Sequence, residues 1–262
     1  MMRLVAVGDN CIDYYEKTAQ ATPGGNAVNV AVYFRRIGGE SAYIGAVGTD
    51  DFGSVLLNGL KEKEVDVSRV HIENGTTAVT QVELVHGDRI FGDYDEGVMA
   101  NFKLREEDYL FIENDDLVVS GFWGHVHQDF KYFHEKGIRT AFDFATKLDD
   151  PLVREVIPFV DFAFFSYDGE DLEWIKSYMK DLHQFDSQII VVTRGEKGSI
   201  AYDGHTYFEF GIIPCKVIDT IGAGDSYIAG FLLASLKGLP IIDRMRMGAE
   251  TSAETIGYNG AW

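Results

Sequence analysis

The sequence predicts an α/β protein, a mostly parallel sheet flanked by helices that carries a second, small β-sheet. Three observations lead there. From Asp116 onward, short apolar runs alternate with helical stretches, the pattern of a parallel sheet covered on both faces. Between Thr76 and Tyr94 a stretch rich in β-formers, broken by His86-Gly87-Asp88, interrupts that alternation and reads as a hairpin. Polar residues and glycines gather at the carboxyl ends of the strand-like runs (Gly8-Asp9, Asp143, Ser166 and Thr193-Arg194-Gly195), where open α/β sheets bind ligands.

Taken in order, Leu4 to Val7 reads as a buried strand ending at Gly8. Asn26 to Ile37 follows as a helix, with Gly38-Gly39 as its stop. Ser41 to Val47 is a strand, and Phe52, Val55, Leu56 and Leu60 form a helical stripe. After the hairpin no helix is expected before about Leu104. Strands are then expected at Leu117–Ser120, Thr140–Phe144, Phe162–Phe165 and Ile189–Thr193. The last expected helix carries Ile228, Phe231, Leu232 and Leu236 at i, i+3, i+4 and i+8. Without a linker, repeat or low-complexity tract, residues 1–262 read as one domain with a β-flap.

Composition narrows the function. Hydrophobic residues make up 46% and charged residues 25%, ordinary for a soluble protein with a full core. The net charge of −19, from 23 basic and 42 acidic residues, argues against nucleic acid, which is bound through basic residues that displace counterions. It leaves ATP open, because salt screens distant charges over roughly 8 Å and local groups then dominate. Cys11 and Cys215 lack metal or redox spacing, so both are expected reduced and at least partly buried, as in a cytoplasmic protein. The apolar start is too short for a signal peptide, and no run of 18 apolar residues predicts a membrane span.

The most informative run is Asp219-Thr220-Ile221-Gly222-Ala223-Gly224-Asp225, directly before the last helix stripe. Paired glycines let backbone N–H groups approach an incoming oxygen, and a helix start leaves those N–H groups without partners at the positive end of the dipole. Phosphate binds at such a place. Asp225 would repel a phosphate, and makes sense as the group that takes a proton from a hydroxyl attacking it. The plainer alternative is a loop with an Asp cap.

Pro23-Gly24-Gly25-Asn26-Ala27-Val28-Asn29 is the second such run, with Asn29 in the first helical turn. It is either a ligand-contacting turn or a hairpin leading into a helix. Asp13, past the first strand, could accept two sugar hydroxyls or serve only a turn. Thr193-Arg194-Gly195-Glu196-Lys197-Gly198 could lie along a nucleotide, with Arg194 or Lys197 near its phosphates, or be a simple Gly-x-x-Gly turn. His125 and His127 lack a third metal ligand at regular spacing, and Asp93, Asp95 and Glu96 read first as a solvated face. Neither a Gly-Lys-Ser/Thr phosphate loop nor a Gly-x-Gly-x-x-Gly fingerprint after the first strand occurs, which disfavours a Rossmann dehydrogenase.

In this order, Gly24-Gly25-Asn26-Ala27-Val28-Asn29 and Asp219 to Asp225 resemble the two signatures of the ribokinase or phosphofructokinase-B family of sugar kinases. The resemblance implies a ribokinase-like, Rossmann-like core with a β-sheet lid, here from about 12–22 and 76–100, through which homodimers can form. It implies ATP with Mg²⁺, and leaves a monovalent cation such as K⁺ open. Asp225 would be the base, with Gly222, Ala223 and Gly224 the anion hole. Asp9, Asp13, Gly24, Gly25, Asn29, Asp93 and Tyr94 would face the sugar. Thr193, Arg194, Gly195, Gly198 and Thr220 would line the nucleotide.

The family's magnesium-ordering Asn-x-x-Glu is replaced by Ser166-Tyr167-Asp168-Gly169-Glu170-Asp171, with Glu170 the substitute acid. Within the family, Gly8-Asp9-Asn10-Cys11, Phe91-Gly92-Asp93-Tyr94, Glu96-Gly97-Val98-Met99-Ala100, Ala141-Phe142-Asp143-Phe144 and Gly260-Ala261-Trp262 resemble the kinases of amine-linked fructose. These imply phosphorylation at the 6-hydroxyl of a fructosamine such as fructoselysine, whose cationic groups Asp93, Asp95 or Glu96 would select. A fructose or nucleoside kinase, or an inactive nucleotide- or sugar-binding relative, are the alternatives.

Overall fold

Leu4 and Ala6 face one side of the first strand, Val5 and Val7 the other, and all four are buried. Only a strand covered on both faces can bury consecutive side chains in this way. The computed structural model describes residues 2–16, 18–85, 88–185 and 187–262. Its strands are β1 (Arg3–Val7), β2 (Cys11–Tyr15), β3 (Gln20–Gly24), β4 (Glu40–Ile44), β5 (Ala46–Gly48), β6 (His71–Glu73), β7 (Val79–Val85), β8 (Asp88–Asp95), β9 (Leu117–Gly121), β10 (Arg139–Asp143), β11 (Phe162–Ser166), β12 (Ile189–Thr193), β13 (Ser199–Tyr202) and β14 (Tyr207–Phe210). The helices are α1 (Asn26–Arg36), α2 (Asp51–Glu62), α3 (Glu106–Ile112), α4 (Phe130–Glu135), α5 (Pro151–Val156), α6 (Leu172–His183), α7 (Ala223–Leu236) and α8 (Ile241–Thr255).

The main sheet runs β14-β13-β12-β11-β10-β9-β1-β4. From β4 to β12 every pair is parallel; β13 and β14 add an antiparallel edge. One apolar layer joins one sheet face to α1, α7 and α8, and a second joins the other face to α3, α4, α5 and α6. All parallel strands therefore end on the same side, bringing the loops after β1, β9, β10, β11 and β12 to one rim.

Some expectations are corrected. The single strand over Ser41–Val47 is two, because β4 pairs with β1 while β5 turns away after Gly45 to pair with β6. In α2, Leu56 and Leu60 are buried but Val55 points to solvent, since it lies off the face those leucines share. The α7 stripe is broader than its four positions: Ser226 through Ser235 are all buried, between α1 on one side and α8 on the other. Cys11 is half-buried, but Cys215 is exposed, on a loop without strand partners.

The small sheet runs β3-β2-β7-β8, with β2 antiparallel to β3 and parallel to β7. The expected hairpin is present as β7 and β8, paired from Val79↔Asp95 to Val85↔Asp88; His86 and Gly87 lie outside the described residues. Among the described residues no helix is long and apolar enough to cross a membrane.

Candidate active site

Two helices start at the rim, and each starts on a glycine with positive φ. Gly25 caps α1 at φ 108°, where a Cβ would stand 2.6 Å from the Asn10 Cα. Gly222 caps α7 at φ 71°, where a Cβ would stand 2.3 Å from the Tyr33 hydroxyl. Only glycine takes these conformations and these approaches without strain. Each turn thus brings a helix start close against the neighbouring chain.

The two starts meet through side chains. Asn26 and Asn29, in the first turn of α1, donate from Nδ2 to Oδ1 and Oδ2 of Asp225, each at 2.7 Å. Asp225 sits in the first turn of α7. Asn26 Nδ2 also donates to Asp143 Oδ2 at 2.8 Å, at the end of β10, and its backbone N–H donates to Asp9 Oδ2 at 2.7 Å. Three carboxylates from the ends of β1, β10 and the α7 turn therefore surround one asparagine.

Their crowding sets the electrostatics. Burial pushes the Asp225 carboxyl up to about 7; the Asn29 and Asn26 donors oppose the rise, and nearby Asp143 and Asp9 add to it. Asp143 rises to about 6 for the same first reason, against the Ala145 N–H and Asn26 donors and with help from Asp9. Desolvation also raises Asp9, against backbone N–H donors from Asn26 and Ala27. A carboxylate with a pKa near neutrality, partly open to the cleft, is suited to accept a proton and release it again.

The Asp219 loop is fastened beside them: its Oδ1 accepts from Ile221 N at 3.1 Å and its Oδ2 from Gly260 N at 2.7 Å. In the first turn of α7, Gly224 and Asp225 have N–H groups without intrahelical acceptors, while Ala223 donates to Thr220 O at 3.2 Å. Gly224 has no atom within 4 Å of where a Cβ would lie, so its backbone face is open. That face borders a cavity of about 700 Å³, also lined by Thr193, Gly195, Gly198, Thr220 and Asp168. Four of the five residues expected along a nucleotide thus share one cavity with the start of α7.

Arg194 is not among the lining residues, and its Nε is buried without a hydrogen-bond partner among the described residues. Glu170 is 89% exposed at its side chain and binds Lys197 Nζ at 2.5 Å, outside the cavity lining that contains Asp168. Among the described residues no group of three His, Cys, Asp or Glu side chains could hold a metal ion.

On the sugar side, Asp13 is buried on β2, with Cys11 Sγ 3.6 Å from its Oδ1, and Gly24 passes close enough that a Cβ would lie 3.0 Å from its Oδ2. Tyr94 on β8 is paired with Thr80, and burial, then Asp9 and Cys11, push its phenol well above the ordinary value. Strand alternation turns Asp93 and Asp95 to the face opposite Tyr94. Asp95 caps the Gly97 N–H at 3.0 Å, and Glu96 lies 3.5 Å from His125 Nε2. Asn26, Asp143 and Trp262 complete the cluster without having been singled out for it; their signals were the second motif's own asparagine, a carboxylate at a strand end and the Gly260-Ala261-Trp262 run.

Comparisons with known proteins identify the family. The pfkB family carbohydrate kinase model matches residues 1–262. The chain is 47% identical to fructoselysine 6-kinase of Shigella flexneri, over all of both chains. It is 39% identical to a fructosamine kinase of Bacillus subtilis, covering all of this chain and 93% of that one. Arabidopsis thaliana ribokinase, solved with ribose and ATP, superposes with a TM-score of 0.89 at 23% identity, over 99% of this chain and 94% of that one, and shares the fold. This chain belongs to the pfkB family of carbohydrate kinases and is a phosphotransferase.

Proposed function

We propose that this enzyme transfers the γ-phosphoryl group of ATP to the 6-hydroxyl of a fructosamine, with fructoselysine as its acceptor. The observation that carries this is the Asp225 carboxylate, held by Asn26 and Asn29 at the first turn of α7, beside open backbone at Gly224 and a cavity of about 700 Å³. Asp225 takes the proton of the 6-hydroxyl as its oxygen bonds to phosphorus. The bond from phosphorus to the β,γ-bridging oxygen breaks, and ADP leaves. Gly222, Ala223 and Gly224 shape the turn whose free N–H groups face the migrating group, which needs mainly positioning and charge stabilisation.

ATP occupies the cavity lined by Thr193, Gly195, Gly198 and Thr220. Mg²⁺ in such enzymes keeps most of its waters and takes one or two carboxylates plus phosphate oxygens, and Asp168 on the cavity wall fits that demand better than the Lys197-bound Glu170. A monovalent cation such as K⁺ is not required by any step above.

The acceptor assignment is supported by the 47% and 39% relatives and by the cleft's charge. Asp9 Oδ1 is a buried acceptor with no donor among the described residues. A polyhydroxy ligand with a cationic amine supplies such a donor. In this reading Asp13, Gly24, Gly25, Asn29 and Tyr94 contact the sugar, and Glu96, beside His125, meets the amine rather than Asp93.

The small sheet acts as a lid in this reading. Its edge strands β3 and β8 leave backbone groups open for a homodimer, which sedimentation would detect. The free thiols of Cys11 and Cys215 suit a cytoplasmic enzyme.

A screen of ATP-dependent phosphorylation against fructoselysine, other amine-linked fructoses, fructose and nucleosides tests the proposal. A higher kcat/KM for fructoselysine than for fructose is expected. Equal values would reject selection by charge.

A further inference from the structure

The run Gly260-Ala261-Trp262 returns to the site from far along the chain. Gly260 N–H is held by Asp219, and the Ala261 carbonyl accepts from the Tyr33 hydroxyl and, at 3.1 Å, from that of Tyr258. These bonds tether the segment to the α7 entry loop and to α1. They deliver the Trp262 indole against Gly59 of α2, where a Cβ would lie 3.2 Å from the indole ring and 3.5 Å from Pro23 Cγ of β3. From there Nε1 donates to Asn29 Oδ1 at 2.8 Å.

The chemistry of that bond is unambiguous. An indole nitrogen only donates, so it must face the amide oxygen, and the Asn29 nitrogen is then turned toward Asp225. Asn29 is only 6% exposed, so water has little part in choosing between its two orientations. Without the indole donor, the far side of the amide no longer favours oxygen, and the flipped amide would set a lone pair against the Asp225 carboxylate.

We propose that Trp262 is a positioning residue for phosphoryl transfer: its indole N–H orients the Asn29 amide, which holds the Asp225 carboxylate ready for the acceptor hydroxyl. The inference rests on Asp225 being the base. Around Asp225 stand Asn26, Asn29 and Tyr33 of α1, Asp143 of β10 and Asp9 beyond β1. A change at Trp262 alters only the Asn29 contribution among them.

The test is Trp262→Phe, which keeps a ring and removes the donor. Losing one positioning hydrogen bond lowers kcat on the order of tenfold. KM for ATP stays unchanged, and the acid limb of the kcat profile moves to higher pH, because Asn29 donation normally favours the ionised carboxylate. In an Asn29→Ala background the same substitution causes no further loss, since the two act in series. Wild-type kcat and acid limb in Trp262→Phe, or a loss that multiplies onto that of Asn29→Ala, overturns the proposal.

If Trp262→Phe does not fold, Gly59→Ala decides. It presses on the indole ring from a helix position where alanine is otherwise favoured. A stable, folded Gly59→Ala enzyme with reduced kcat supports the proposal, and one with wild-type kcat and acid limb overturns it. Near-normal turnover in Asp225→Asn would instead remove the base itself. An inactive Asp225→Asn beside an unaffected Trp262→Phe would remove only the role of Trp262.

Discussion

The starts of α1 and α7 are built alike and used oppositely. Both are capped by a positive-φ glycine with no side-chain cap bond, but the first N–H groups of α1 are taken by the Asp9 carboxylate, whereas the first turn of α7 keeps an open backbone face at Gly224. The first turn of α1 carries no acid and presents two amides as donors; that of α7 presents a carboxylate. One turn geometry therefore serves two purposes, and the side chain in the first turn decides which. A helix start favours an anion through its dipole, so Asp225 is held there while desolvation keeps its pKa near neutrality.

The sharpest break of this pairing is Asp225→Asn, which leaves two amides facing a third. General-base catalysis contributes roughly 10²–10⁴-fold, so kcat should fall by at least about that range, with ATP affinity retained. Steady-state kinetics and nucleotide titration separate the two quantities. Near-normal turnover would leave α7 with no chemical distinction from α1.

Next in size are the caps themselves. Gly25→Ala should cost about 3 kcal/mol, because its backbone conformation is foreign to L-residues and its Cβ meets the Asn10 backbone. Gly222→Ala should cost about 2 kcal/mol, since the left-handed region is less forbidding, although its Cβ meets the buried Tyr33 hydroxyl. Urea unfolding would show the order; equal losses would mean that the two turns are constrained alike.

The smallest effect concerns the crowded acids. The folded-state pKa of Asp143, about 6, lies above the ordinary carboxylate value, so the native state binds its proton more tightly than the unfolded chain does. Its ionisation therefore costs stability as pH rises from about 4 through about 6, and the cost persists above that window. Asp143→Asn should gain about 1 kcal/mol at pH 8 and nothing at pH 4, read from Tm at the two pH values. The same substitution should move the acid limb of kcat to lower pH, because the Asp143 charge raises Asp225. A gain equal at both pH values would show that charge crowding is not its source.

Much of this was legible from local pattern. Apolar runs such as Ile189–Thr193 could only be doubly covered strands, and the glycines before Asn26 and Asp225 announced helix starts. Periodicity reports which face of an element is buried, and glycine reports where the chain bends; both are properties of a few neighbouring residues. The edge strands β13 and β14 and the helix α8 were less legible, because their short or mixed patterns do not separate them from loop.

Packing alone decided how those pieces combine. Asn29 and Asp225 are 196 residues apart, and Trp262 and Asn29 are 233 apart, yet each pair shares one hydrogen bond. The elevated Asp225 pKa and the gathering of Asp9 and Asp143 around Asn26 depend on which surfaces exclude water and which strands lie side by side. A linear pattern encodes torsions and amphipathic faces, whereas desolvation and long-range donor geometry exist only once distant segments are packed together.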